Sequence, residues 1–445
     1  MSSTPADDLS RSIQQLLDAA IDNGTAPGLA AAVFDRDGIF ASAHAGVASL
    51  KRPDQPFDLS TIIWPASAAK PFVSLLVLIL VERTGFDLDS HDQLVKVLPE
   101  LGRDWPGTRI WKIIDGKDDK GEYTYRDAKF SVSFERCRTL RHLLTHSIGS
   151  ALHFNSEPGK KFYDESLETG KTHMRGFIEA YNEPRSFEAG EGFAYGLSAE
   201  WLGLFVQRVS GTSFRRAAHD LLIEPLGLAR DTIDVFRTPA LNANLVEIVA
   251  KLPDGQFVSL PDPGFDTPQY EDVPPEGRSV LANAPFFSSL ETFAHGLRAL
   301  LNKTAPSGDA GAKPLISEAL WREATTDDFA RRGVSISQAP FMVSSDPTLS
   351  HPIDKWSEVD PNDDETLGFN MFQQVVHRSN NKVGFRPNVI EWSGLAETYY
   401  FIDHERGIGA VVTAQFFPWG DPAMLDLKND VFKKVFDYSS KHHAT

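Results

Sequence analysis

The sequence predicts an α/β fold of the α+β kind: an antiparallel sheet flanked by helices, with a mostly helical segment inserted into it. Three observations point there. Strand and hairpin patterns cluster toward the two ends of the chain, helical periodicities fill the middle third, and helical repeats bracket the strands at either terminus. With 445 residues, 41% of them hydrophobic, there is ample material for a large core. The expected division is a discontinuous sheet domain at 1–95 and 280–445, and an inserted helical domain with lid-like loops at 96–279.

Each element follows from local pattern. From Asp7 to Asp22, the residues Leu9, Ile13, Leu16, Leu17, Ala20 and Ile21 recur at helical spacing, and Asn23-Gly24 ends the run. The stretch GLAAAVFDRDGIFASAHAGVAS reads as a hairpin turning at Asp35-Arg36-Asp37-Gly38. Phe72 to Val81 is apolar nearly all round, the pattern of a helix buried on every side, and Gly85 sits where a C-terminal cap belongs. In the middle, TLRHLLTH and SAEWLGLFVQRVSG are the clearest helices. Asp104 to Lys129 reads as a surface loop or lid, and Leu260 to Arg278 as an acidic, Pro-rich connection. After a helix near Ser289 to Leu301, the segments NVIEWSG, TYYFIDH and GIGAVVTAQFF read as consecutive strands. Asp421-Pro422 then opens a final helix.

Composition excludes several functions. The net charge of −17 argues against nucleic acid or an anionic membrane as partner, because both recruit basic surfaces. The single cysteine, Cys137, permits neither an intrachain disulfide nor a cysteine-based zinc site. The start MSSTPADDLSRSIQQLL lacks a secretory pattern, and the longest apolar run is too short to cross a bilayer. These features predict a soluble cytoplasmic protein. The histidines show no metal-binding spacing and no phosphate-cradling glycine loop is present, so neither metal nor cofactor is expected.

Chemistry concentrates in three places. Ser67-Ala68-Ala69-Lys70 stands at the mouth of the buried helix, where Pro71 forbids helix further upstream. Free N–H groups there suit an oxyanion, and a desolvated lysine one turn on suits a base for the serine. A serine N-cap followed by a solvated lysine would look the same. Tyr195 precedes the helix of SAEWLGLFVQRVSG; it is either an aromatic staple or a phenol delivered to Ser67 and Lys70. In IEWSGLAETYYFID, Ser393-Gly394 interrupts a β-prone run, which marks either a simple turn or a close approach of backbone to ligand. In the second case the N–H of Leu395 becomes an oxyanion donor beside that of Ser67. Trp64, Trp392, Ser393, Gly394 and Tyr399 are the candidate substrate-binding residues, with core packing as the alternative for the aromatic ones.

Order and spacing of these motifs resemble the serine β-lactamase and penicillin-binding-protein superfamily, in its class C-like esterase and transesterase branch. Ser67-Ala68-Ala69-Lys70-Pro71 is similar to its nucleophile motif, Tyr195 to Gly211 to its tyrosine motif and helix, and Trp392-Ser393-Gly394 to its third motif. LRHLLTHSIG resembles a further signature, in which His146 is read as structural. Within the branch, YGLSAEW and FFPWGDP resemble fungal polyketide-associated acyltransferases of the lovastatin side-chain type. The chain departs at Leu197, where β-lactamases carry asparagine, and at Trp392, where they carry a basic residue. VLANAPFFSS also lacks the family's glycine-rich turn. Both substitutions favour an ester or thioester over a β-lactam. The resemblance implies acyl transfer through an acyl-enzyme on Ser67, with Lys70 and Tyr195 as proton carriers. It implies a monomer acting on a small-molecule acyl donor and acceptor, the donor being an ester, a coenzyme A thioester or an acyl carrier protein. Hydrolysis of a small-molecule or polyketide ester is the alternative, and a catalytically altered member acting by binding is the third reading.

Overall fold

A computed structural model describes residues 4–104, 112–127, 138–150, 157–260, 277–303, 313–334, 367–377, 379–380 and 383–442. Its centre is an antiparallel sheet of 7 strands drawn from both ends of the chain. The strands are β1 (Gly28–Asp35), β2 (Ile39–Gly46), β3 (Leu367–Phe369), β4 (Gln374–Val376), β5 (Ile390–Gly394), β6 (Thr398–Asp403) and β7 (Ile408–Thr413). Their spatial order is β3-β4-β5-β6-β7-β1-β2, so the N-terminal hairpin docks on the edge of the C-terminal meander. Register across β1 and β7 pairs Ala31 with Val412, and across β5 and β6 pairs Trp392 with Tyr400. The hairpin turns where expected, with Asp35 Oδ1 accepting from the N–H groups of Asp37 and Gly38.

Small residues on β1 and β7 let helices lie close on both faces. One face carries α1 (Pro5–Asp22) and α5 (Pro422–His442). Helix α1 begins at a capping box, in which Thr4 and Asp7 satisfy each other's backbone N–H. Helix α5 stacks Phe436 on Phe401 of β6, with ring centroids 4.5 Å apart. The opposite face carries α2 (Lys70–Thr84), α3 (Ser198–Ser210) and α4 (Leu290–Leu301). Helix α2 is buried from Lys70 through Val81, as its all-round apolar sequence predicts. It packs on α3 on one side and on α4 on the other, where Phe72 meets Phe293 at 5.6 Å.

The middle of the chain joins the flanking segments through two further sheets of 3 strands each. Ile233–Asp234 pairs with Phe287–Ser289, and Val249–Lys251 pairs with Phe416–Phe417, so strands of the inserted segment are stitched to strands of the flanking ones. The segment read as a surface loop or lid at Asp104 to Lys129 contains a bulged hairpin, Lys112–Lys117 against Tyr123–Asp127, whose register shifts between Ile114 and Gly116. The alternation of Tyr123, Thr124 and Tyr125 could have signalled the second strand, but the first offers only the adjacent Ile113 and Ile114 among charges and a glycine. Most of the Leu260 to Arg278 connection lies outside the described residues.

Candidate active site

Before α2 the chain makes a tight entry. A short strand, Ile62–Ile63, leads through Trp64 and Pro65 into a 3-10 turn at Ala66–Ala69 that runs on into the helix. Ala66 is held at φ 49°, a left-handed conformation that strains a residue with a Cβ and must be enforced by its surroundings. From Thr61 to Val81, Ser67 is the only residue that is not buried. The turn thus lifts a single side chain out of an otherwise closed core.

Two donors converge on it. Lys70 Nζ donates to Ser67 Oγ at 2.8 Å, and the Tyr195 hydroxyl donates to the same oxygen at 2.8 Å. The ammonium also lies 4.8 Å from the centre of the Tyr195 ring and donates to the carbonyl of Asn283 at 2.5 Å. Burial pulls Lys70 well below the usual lysine range, with the charge of Glu200 opposing the shift. Tyr195 is pushed up by burial and by the Glu200 charge, and hydrogen bonds with Ser67 and Trp392 pull it back. The arrangement therefore holds a hydroxyl between an amine that gives up its proton readily and a phenol that keeps its own.

His146, expected to be structural, packs its ring 4.9 Å from that of Tyr195. Burial and the Lys70 charge lower it to about 3, so it stays neutral. Its carbonyl accepts from Ala194 N and that of Ser147 from Gly190 N, which fixes the Tyr195 segment against the loop following Leu140–Leu144.

Strand β5 closes the other side. A Cβ on Gly394 would sit 1.9 Å from the Pro65 carbonyl oxygen and 3.4 Å from Ala68 N. The close approach anticipated at this glycine is thus to the turn that carries Ser67. Leu395, next in the chain, follows directly from that contact and is half-buried. Trp392 lies on the same side of the sheet as α2; its ring is 5.5 Å from that of Tyr195, and its indole hydrogen-bonds the phenol. Indole N–H can only donate, so Trp392 supplies a neutral donor where β-lactamases carry a basic residue. Trp64 donates through Nε1 to the Ala284 carbonyl at 3.1 Å. With Val235, Phe236, Val280, Leu281 and Phe287 it lines an apolar pocket.

Two expected binding residues are not brought to this place. Ser393 pairs across the sheet with Tyr399, and strand alternation turns both away from the side of Trp392 and Tyr400. Tyr399 packs in the core under α1 and α5, where its hydroxyl donates to Glu397 Oε2 at 2.5 Å. Its nearness to the motif in sequence was misleading because the side-chain period of a strand is 2.

Three contributors were not anticipated. Glu200, fully buried one turn into α3, accepts from Ala282 N at 2.7 Å. Asn283 offers Lys70 a backbone carbonyl that no side-chain motif can reveal. Gln415, also fully buried, accepts from Trp64 N at 2.9 Å while its Nε2 lies 3.2 Å from Trp64 O and 3.3 Å from Ala396 O. An acid within the apolar run SAEWLGLF was the one visible signal among them. No group of three or more His, Cys, Asp or Glu among the described residues is placed to hold a metal ion.

Comparison with known proteins places the chain in a family. The Beta-lactamase family model matches residues 13–431. The chain is similar to the lovastatin esterase of Penicillium rubens, 23% identical over 425 residues, covering 94% of this chain and 96% of that one. It is also similar to the monacolin J acid methylbutanoyltransferase of Aspergillus terreus, 26% identical over 42% of each chain. Among solved structures, the unliganded simvastatin synthase of Aspergillus terreus superposes with a TM-score of 0.74 at 18% identity, covering 100% of both chains.

Proposed function

We propose, because this chain belongs to the beta-lactamase family and gathers Lys70 and Tyr195 on Ser67, that it transfers acyl groups through an acyl-enzyme on Ser67. The observation that carries the reading is the pair of donors on one partly exposed hydroxyl. Lys70, neutral in part because of its burial, takes the Ser67 proton as the oxygen attacks an ester or thioester carbonyl. Backbone N–H groups of Ser67 and Leu395 hold the oxyanion. The proton held by Lys70 is relayed through the Tyr195 hydroxyl to the leaving group, and an acceptor alcohol, giving up its proton by the same route in reverse, then takes the acyl group from Ser67.

In this reading the acceptor is a small molecule, and the donor is a small-molecule ester or a coenzyme A or carrier-protein thioester. Hydrolysis is the second reading, and one finding favours it: a relative similar over nearly the whole chain is named an esterase. The chain is read as a cytoplasmic monomer, the compartment resting on its single cysteine. No described helix is long and apolar enough to cross a membrane.

Intact-protein mass spectrometry after exposure to acyl thioesters and esters tests the proposal. An adduct on Ser67 is expected, absent from Ser67→Ala; an adduct elsewhere, or undiminished turnover by Ser67→Ala, overturns it. Adding an alcohol acceptor separates transfer from hydrolysis by product.

A further inference from the structure

His146 is a costly choice for a residue that only packs. Its backbone is held at φ 51°, a left-handed conformation that strains a residue with a Cβ. Its ring lies among those of Phe193, Tyr195 and Phe369, at 5.9, 4.9 and 5.5 Å. A phenyl ring would fill that cage and bring no polar atom to satisfy. The imidazole instead buries Nδ1 without a hydrogen-bond partner, which is unfavourable in an apolar setting.

The same ring borders a small cavity. Its volume is about 10 Å³, enough to hold one water molecule. On its wall Lys70, Ser74, His146 and Trp392 are polar, and the rest, Leu144 and Phe369 among it, is apolar. Trp392 already commits its indole to the Tyr195 phenol. Ser74 follows Lys70 by four residues in α2, so the two share a helix face. Ser67 does not line the cavity.

Lys70 has a donor to direct there. An ammonium carries three N–H groups. Among the described residues Nζ has two acceptors, Ser67 Oγ at 2.8 Å and the Asn283 carbonyl at 2.5 Å. The Tyr195 ring, with its centre 4.8 Å away, is a weaker partner than an oxygen. Purely apolar cavities stay dry, whereas water settles where about two to four polar groups converge.

We propose that this cavity is a binding site for a single water molecule, held by the His146 imidazole, the Ser74 hydroxyl and Lys70 Nζ, and that His146 and Ser74 act through it as positioning residues for Lys70. The water accepts from the third N–H of the ammonium, which turns the other two onto Ser67 and Asn283. A neutral imidazole has one donor and one acceptor nitrogen, so it can bond a water in either sense. Burial and the Lys70 charge keep it neutral, lowering it to about 3. The site stands on the cavity and its wall; its effect on rate rests on the Ser67 acyl-enzyme reading.

Two measurements test it, one of the site and one of its effect. A crystal structure of the protein should show one ordered water within hydrogen-bond distance of Lys70 Nζ, the His146 ring and Ser74 Oγ, and none there in His146→Phe. A dry cavity, or a water out of reach of Lys70, overturns the proposal. The second measurement follows the burst of p-nitrophenol released from p-nitrophenyl butyrate between about pH 5 and about pH 9. A water that accepts from the ammonium favours the charged form, so its loss lets Lys70 release its proton at lower pH. In His146→Phe the acidic limb should move down by about one pH unit and the plateau rate should fall about tenfold, with the unfolding midpoint unchanged or higher. Ser74→Ala should move the limb the same way by about half a unit. Glu200 and Tyr195, the other titratable groups facing Lys70, are the same in every variant and cannot account for a difference between limbs. Limbs that coincide in wild type and both variants overturn the proposal. So does a lower midpoint with the limb in place, the mark of a ring that only packs. Should His146→Phe fail to fold, an unmoved limb in Ser74→Ala is sufficient to reject it. A wild-type protein that shows no burst and takes up no fluorophosphonate at Ser67 rejects the acyl-enzyme reading instead, and the crystal structure then decides the water site.

Discussion

Two buried glutamates on opposite faces of the sheet make an instructive pair. Glu200, on the α2 side, and Glu397, beneath α5, are both fully buried and both raised by burial to about 8. Their surroundings differ. Glu397 is satisfied at both oxygens, by Asp421 N at 2.9 Å and by the Tyr399 hydroxyl at 2.5 Å, and what it holds together is the start of α5. Glu200 accepts from the backbone of the Ala282–Asn283 turn and is electrically coupled to Lys70, which is bound to the only partly exposed residue of its segment. A shifted carboxyl is therefore no mark of chemistry in itself. What distinguishes the two sites is whether the groups around the carboxyl reach the cleft.

The largest expected effects fall on the α2 face. Ser67→Ala should remove acyl-enzyme formation with little change in the unfolding midpoint; a residual adduct would blur the contrast between the faces. Gly394→Ala should come next, because the new Cβ meets the Pro65 carbonyl at 1.9 Å and must push β5 off the nucleophile turn. We expect acylation to fall by about a hundredfold or more in a stopped-flow burst, in line with misplacement of a reacting group. Tyr195→Phe, which removes a donor on Ser67 Oγ, should slow the burst by about 10²- to 10⁴-fold at unchanged stability. Leu76→Ala, in the fully buried part of α2, should cost about 2–5 kcal/mol in denaturant unfolding.

The smallest effect on activity belongs to the other face. Glu397 is raised in the folded state above its ordinary 4.5, so its protonated form is the one the fold favours. Its contribution is fully present below about 4.5 and is lost as pH rises through about 8. Glu397→Gln should flatten the alkaline decline of the unfolding midpoint and leave the acylation burst unchanged. A burst that falls in this variant would break the comparison.

Much of this was legible in the sequence, for reasons that can be traced. Helix α2 announced itself because its apolar positions run all round and Pro71 and Gly85 mark its ends. Strands β5 to β7 were readable from β-branched and aromatic runs separated by short turns. Ser67, Lys70 and Tyr195 were named, but their meeting depends on the loop after Leu140–Leu144 and on Gln415, neither of which has a chemical motif. Tyr399 was misassigned because proximity in a strand says nothing about face. Glu200 was passed over because an acid in a helix is ordinary until its burial is known, and Asn283 acts through a carbonyl that every residue has.

Gln415 has a further consequence. One amide spans the residues before the nucleophile turn and those after β5, bonding Trp64 on one side and Ala396 on the other. That wall is braced from within the core, so the entry to the nucleophile turn and the exit from β5 have little freedom to move apart. Val235, Phe236 and Leu281, which line the small pocket beside Trp64, lie outside the brace. Substitutions there can accumulate while the wall behind Ser67 stays as it is, so that side of the molecule is free to drift without first loosening the turn that carries the nucleophile.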